Sequence, residues 1–403
     1  MSNKSNISKP VKNSQRIEIL DIYRGFALMG IFVVNITIMN STFLNQDEYT
    51  QKFTSTLDLM TGKILQLFFY TKFFPIFSLL FGLGIAMQAI KILERKKSPI
   101  IFFSRKMIIL FIIGVMHILF LWSGDVLNLY AIIGLFTILL LKLPSKLILA
   151  LSVLFLIFPF YNQAFEFIFD KLNYSPELYL SGYTGETVSH IIKNGTYIEG
   201  LKLRVLEYLA NIPVLFQFLA PIAIAMFLLG LYLGKLKVYQ SLDSFIKTIT
   251  IPVLIVTLLS NVYRVLFLFI IINHQLFTIE DNREIFIKVM VVSDVLMGLF
   301  YLWIIGWLYY NTTFAKVLKS FRFIGRMALT NYIFQSFIGL ITFSSIGFQL
   351  YETLSPFDCL LVAVTVFIVQ IILSKIWLKY FLYGPLEWMW RSLTYGTLLQ
   401  IKR

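Results

Sequence analysis

The chain has 403 residues, 58% of them hydrophobic and only 14% charged, with a mean hydropathy of +0.79. Soluble domains hold roughly 45–50% apolar and about 25% charged residues, so the composition excludes a string of soluble domains and points to a polytopic membrane protein. The net charge of +14 lies in the segments between apolar runs, which is the mark of membrane topology, and no nucleic-acid partner is expected.

The chain opens with a polar, basic stretch, residues 1–17, expected to be a flexible cytoplasmic tail. The apolar run from Phe26 to Met39 follows Asp21 and Arg24 and has no convincing cleavage site, so it reads as an uncleaved first span. A span needs roughly 20 apolar residues, and about ten stretches qualify: 19–39, 70–90, 106–122, 125–142, 146–165, 212–234, 246–272, 286–310, 324–345 and 357–381. Each should be helical, because lipid leaves unpaired backbone unsatisfied. The expected fold is therefore an all-α polytopic membrane helical bundle. Pro75, Pro159, Pro213 and Pro221 should start or kink spans. Most of the 35 lysines and arginines, among them Lys97, Lys319 and Arg322, fall in the segments that place both termini in the cytoplasm. The one long outer loop then runs from about Glu166 to Asn211.

Polar residues inside the spans carry the functional signal. In the first span Asp21 and Arg24 are spaced to pair, and Arg24 and Asn35 are three turns apart on one face. Arg24 is either half of an interfacial ion pair or a cavity cation that meets an anionic ligand such as a phosphate. Lys72 is a lone lysine near the outer end of the second span, where Gly82 and Gly84 permit close packing or access to a cavity.

His117, eleven residues into the third stretch, is expected near the bilayer midplane. It is either a packing histidine or a group that takes and returns a proton near neutral pH. The turn Trp122-Ser123-Gly124-Asp125 makes a tight hairpin, and Asp125 is placed either to cap the next helix or to orient His117. His190 and His274 fall in loops and Cys359 is the one cysteine, so no disulfide framework or metal site is expected. Asn331 and Gln335 form one polar stripe, and Gln370 and Ser374 another; both are interhelical glue or the lining of a substrate path. The tail Gly384-Pro385-Leu386-Glu387-Trp388-Met389-Trp390-Arg391 reads as a short interfacial helix with a Glu387–Arg391 pair.

Four segments together resemble a known family. They are Leu20-Asp21-x-x-Arg24-Gly25 with Asn35, the Phe73–Gly84 run, the His117 and Gly124-Asp125 hairpin through Tyr130-Ala131, and the Gly384–Arg391 tail. The chain from about residue 16 to 396 looks like the YeiB family of bacterial membrane proteins, which carries domain of unknown function 418 in its C-terminal half. The N-terminal portion is similar to the transmembrane acyltransferase superfamily that includes heparan-alpha-glucosaminide N-acetyltransferase. The resemblance implies an acyltransferase-like membrane region over 18–234 and a C-terminal membrane region over 235–403. In the O-acyltransferases of that superfamily an arginine precedes a catalytic histidine by about eleven residues; here Arg24 matches and Asn35 stands at the histidine's place.

Two functions follow as expectations. One is transfer of an acyl group from a cytoplasmic donor such as acyl-CoA, with no tightly bound cofactor, to an envelope glycan or lipid acceptor outside the bacterial cytoplasmic membrane. Arg24 and Lys72, with Asn331 and Gln335, would line the donor path; His117 would act as base, Asp125 would orient it, and Asn35 would donate to the oxyanion. The alternative is a secondary transporter or exporter of a small solute without chemistry, since no ATP-binding P-loop is present.

Overall fold

The computed structural model describes residues 16–96 and 98–403. Most of the expected basic tail, together with Lys97, lies outside them. The principal helices are α1 (Glu18–Asn40), α2 (Phe73–Glu94), α3 (Pro99–Phe120), α4 (Leu127–Leu139), α5 (Ser145–Ile157), α6 (Tyr197–Ala210), α7 (Ala220–Lys235), α8 (Thr250–Phe269), α9 (Glu280–Asn311), α10 (Phe321–Arg326), α11 (Ala328–Phe343), α12 (Pro356–Tyr380) and α13 (Pro385–Tyr395). Among the described residues the only β-pairing is an isolated bridge between Phe381 and Lys402. The protein is an all-α polytopic helical bundle.

Helices occupy all ten expected stretches, but their lengths differ from expectation. Seven helical stretches among the described residues are long and apolar enough to cross a bilayer, or eight if one bent pair counts as a span. That pair is α5 and Tyr161–Lys171, which meet at 85° across the Phe158-Pro159-Phe160 break. Proline lacks the N–H that would continue the ladder, so the fifth stretch is broken. The helices Leu127–Lys142 and Ala328–Phe343 are shorter. The ninth stretch is cut at Met327, whose φ of −120° and ψ of 37° separate α10 from α11. The helix α8 turns Leu254, Ile255, Leu258 and Leu259 outward, exposed as a lipid-facing helix requires.

Close backbone approach sets the centre of the bundle. A Cβ at Gly82 would overlap the Phe227 carbonyl, and one at Gly230 would overlap that of Leu79, so α2 and α7 cross in direct backbone contact. Gly25 and Gly325 do the same between α1 and α10, where added Cβ atoms would strike the carbonyls of Phe321 and Asp21. The glycine after Arg24 is thus a packing residue. It fixes the face on which Arg24 stands.

Both described ends of the chain lie at one end of the bundle. Arg16 borders the same cavity as Glu387 and Arg391, and Leu382 N–H donates to Ile401 O at 2.8 Å. This is the proximal end of the bundle. The loop after α1 marks the distal end, where Asn45 donates to Gly185 O at 2.9 Å and Ser345 N–H to Ile192 O at 2.7 Å. The outer-loop expectation becomes a folded cap of short helices that includes Gly185–Asn194 and α6.

Candidate functional site

Two cavities lie end to end through the N-terminal helices. The proximal one, about 190 Å³, is bordered by Arg16, Arg24, Lys106, Arg326 and Arg391, with Glu387 as its lining carboxylate. The distal one, about 400 Å³, is mostly apolar, with Asn35, Asp125 and Glu207 among its polar lining. Ile31, Val126 and Tyr332 line both, so they form the wall between them. Arg24 and Asn35 share a face of α1 as expected, yet they open into different cavities. The polar residues of α1 are thus divided between two cavities.

Arg16, Arg24 and Lys106 of the proximal cavity are each positioned by a specific contact. Arg24 donates from Nη1 to Asp21 Oδ1 at 3.0 Å, which realises the expected pair, and Arg16 donates from Nη2 to the same oxygen at 3.0 Å. Gly84 lies beside Arg24, where an added Cβ would stand 3.7 Å from Nη2. Gly82 therefore packs and Gly84 borders the cavity. Lys106 donates from Nζ to Gln88 Oε1 at 2.9 Å and lies 5.0 Å from the Trp390 ring centroid, while Trp390 Nε1 donates to Lys106 O at 2.9 Å.

The tail helix α13 is part of this site and is more than an interfacial anchor. Glu387 accepts from Leu329 N–H at 2.6 Å, from Thr330 N–H at 3.1 Å and from Thr330 Oγ1 at 2.6 Å. It caps the start of α11, where free N–H groups and the helix dipole favour a carboxylate. Burial raises the Glu387 carboxyl above its ordinary range, and these hydrogen bonds oppose that rise. The expected Glu387–Arg391 pair is replaced by this tertiary contact. Arg391 instead lies 4.9 Å from the Tyr383 ring centroid.

At the hairpin, both expected roles of Asp125 are filled at once. Its Oδ1 stands 2.9 Å from His117 Nδ1, and its Oδ2 accepts from Leu127 N–H at 2.9 Å and Asn128 N–H at 3.2 Å. His117 is in the last turn of α3, near the helix end and not midway along it, because the helix begins at Pro99, earlier than the apolar run suggested. It is 2% exposed and lies outside both cavities, with its ring 5.3 Å from that of Tyr332. Its Nε2 has no hydrogen-bond partner among the described residues.

Three expected donor-path residues lie elsewhere. Lys72 is fully buried, and its Nζ meets Asp294 Oδ1 at 2.7 Å and Gln66 O at 2.8 Å. Arg264 Nε meets the same Asp294 oxygen at 2.9 Å. Lys72 is thus one cation of a buried triad between α2, α8 and α9, and it borders neither cavity. Asn331 and Gln335 join the other polar stripe directly: Asn331 Nδ2 donates to Ser374 Oγ at 3.1 Å and Gln335 Nε2 to Gln370 Oε1 at 2.9 Å. The two stripes zip α11 to α12, because amide side chains in an apolar interface satisfy one another.

Glu207 on α6 was missed by sequence reasoning. It is 7% exposed, borders the distal cavity, and accepts from Ser123 Oγ at 2.8 Å through Oε2. Burial pushes its carboxyl up to about 7, against the pull of Ser123, Arg204 and Thr42. The signal in the sequence was weak, since α6 alternates charge and apolar residues like any surface helix. Among the described residues no group of three or more histidine, cysteine or acidic side chains could hold a metal.

Comparison with known proteins places this architecture. The family described as "Protein of unknown function (DUF418)" matches residues 233–397. The chain is 28% identical to the uncharacterized protein YxaH of Bacillus subtilis, over 96% of both chains. It is 28% identical to an uncharacterized 39.9 kDa protein encoded in the amylase 3' region of Bacillus acidopullulyticus, again over 96% of each. With YeiB of Escherichia coli the identity is 27%, over 93% of this chain and 95% of that one. No solved structure matches the chain. The chain is thus similar nearly end to end to YxaH and YeiB, and its C-terminal region, which includes the Glu387 tail, matches the DUF418 family.

Proposed function

We propose that the protein transfers an acyl group from a donor bound at the proximal cavity to an acceptor held in the distal one. The observation that carries this reading is the pair of cavities sharing the Ile31, Val126 and Tyr332 wall, one basic and the other mostly apolar with carboxylates. A thioester donor such as acyl-CoA has phosphates at one end and the reacting carbonyl at the other. Arg24, Arg391 and Lys106 suit the phosphates, because guanidinium and ammonium groups match anionic oxygens in partly dry surroundings. The carbonyl would then reach the Tyr332 wall, with Asn35 beyond it as a donor toward the oxyanion.

The positive charge between spans orients the proximal end toward the cytoplasm, which supplies such a donor, and the acceptor is an envelope glycan or lipid. Lys72, Asn331 and Gln335 have structural roles in this reading. His117 acts through Asp125, whose position it fixes.

The test uses full-length protein in nanodiscs with acetyl-CoA, and with glycerol and glucosamine as hydroxyl and amine acceptors. Acyl transfer releases free thiol in proportion to acylated product. A wild-type protein that releases no thiol with either acceptor, while proteoliposomes carry an anionic solute across the membrane, gives the site to secondary transport.

A further inference from the structure

We infer that Glu207 is the proton-exchanging group of the distal cavity and takes the acceptor's proton during acyl transfer. The inference rests on the acyl-transfer reading for the second half of that statement and on geometry for the first. Glu207 is buried, yet its Oε1 has no hydrogen-bond partner among the described residues. A buried carboxylate oxygen without a partner costs free energy unless something occupies the space before it.

Two spaces meet at this side chain. One is the distal cavity; the other is a smaller cavity of about 70 Å³ toward the folded cap. Thr42, Trp122 and Glu207 line both. Arg204 and Ser344 also line the smaller cavity, and Arg204 Nη2 and Ser344 Oγ are each buried and unpartnered among the described residues. Three lining residues that each carry an orphaned polar atom suit a few ordered waters in a cavity of that size, which would join Glu207 to the distal face.

The groups facing Glu207 set its proton affinity. Arg204 stands one turn earlier on α6, the Ser123 and Thr42 hydroxyls come from the hairpin and from the end of α1, and the Tyr351 phenol lies close by. Asp125 borders the same cavity, with both its oxygens engaged. Of the two carboxylates on the distal cavity, Glu207 alone has a free oxygen among the described residues. With its carboxyl near 7, it exchanges a proton at ordinary pH, as a general base must.

In the reaction the acceptor oxygen or nitrogen forms its bond to the thioester carbon as Glu207 takes its proton. The carbon–sulfur bond then breaks with the electron pair on sulfur. The thiolate takes up a proton from the proximal side, and Glu207 releases its own through the smaller cavity. Atoms and charge balance, and the enzyme returns to its starting state.

The test is an infrared titration of wild-type protein, Glu207→Gln and Ser123→Ala in nanodiscs between pH 5 and 9, with thiol release from acetyl-CoA measured alongside. The wild-type minus Glu207→Gln difference should contain a protonated-carboxyl band that disappears with a midpoint near 7. Ser123→Ala should move that midpoint upward, because the hydroxyl stabilises the charged form. Glu207→Gln should bind acetyl-CoA as wild type does and release thiol at least about 100-fold more slowly. A difference spectrum without a neutral-range carboxyl overturns the proton-exchange assignment. Near-full activity of Glu207→Gln overturns the base assignment while acyl transfer stands. If the wild type itself releases no thiol, the acyl-transfer reading and the base role fall together, whatever the spectrum shows.

Discussion

His117 Nδ1 and Asp125 Oδ1 lie 2.9 Å apart, and the other oxygen of Asp125 holds the first N–H groups of α4. One buried carboxylate therefore ties the two arms of the hairpin and ends one helix as the next begins. The small residue opposite is part of the design. A Cβ at Gly114 would stand 2.7 Å from Asn128 N and 2.8 Å from Asp125 Oδ2.

This arrangement predicts an order of effects. Asp125→Ala should destabilise the protein by about 2–4 kcal/mol, combining a lost cap with a lost charge-assisted hydrogen bond. His117→Gln retains hydrogen-bonding capacity and should cost about 1 kcal/mol or less. Thermal unfolding in one detergent, compared across both variants, checks the order. His117→Gln should also lower acyl transfer by less than about tenfold, far less than a lost general base would.

The Lys72–Asp294–Arg264 triad has two cations on one carboxylate, all buried. Asp294→Asn leaves both cations without a counter-charge and should destabilise by about 3–5 kcal/mol. Lys72→Met leaves Arg264 still paired, so it should be tolerated far better. Expression level and melting temperature of the two variants distinguish them. Equal losses would mean that the carboxylate does not hold the triad together.

Glu387 makes three hydrogen bonds to the start of α11, so Glu387→Ala should free α13 from the bundle. The expected cost is about 2–3 kcal/mol, the range for a charged acceptor of several N–H and O–H groups. Limited proteolysis around Tyr383 should become faster. Since α13 carries Arg391 and Trp390 to the proximal cavity, donor binding should weaken in parallel.

Stability should also follow pH through Glu207. Its folded carboxyl is raised to about 7, above the roughly 4.3 of an unfolded chain. The folded state thus binds the proton more tightly, and its contribution to stability is complete below about pH 4 and lost as pH rises through about 7. Melting temperature should fall across that window in the wild type. Glu207→Gln should flatten the fall, and an unchanged slope would contradict the assignment.

How much of this was legible in the sequence depended on how local each signal was. The His117–Asp125 tie spans eight residues across a four-residue turn, so spacing and residue type were enough to suggest it. Asp21 and Arg24 are likewise one helical turn apart. The Glu387 pairing was misread because an i, i+4 partner was available in sequence, while tertiary packing offered the unsatisfied N–H groups of α11. Lys72 looked free because its partners are far along the chain. Arg264 and Asp294 each stand within an apolar span and were the available clue, since charges at such positions almost always pair. The break at Met327 follows Gly325 by two residues, but a single glycine in an apolar run marks close packing as readily as a helix end. The burial of Glu207 depends on how α6 folds over the hairpin, which no local pattern encodes.

The central claim is that the proximal cavity binds the phosphate end of a thioester donor. The most direct measurement is the affinity of acetyl-CoA for full-length protein in nanodiscs, at low and high salt, for wild type, Arg24→Ala and Asn35→Ala. Binding should be saturable and weaken with salt, fall at least about tenfold in Arg24→Ala through the loss of a charge-assisted contact, and be unchanged in Asn35→Ala. Equal affinity for wild type and Arg24→Ala, or no saturable binding at all, would contradict it.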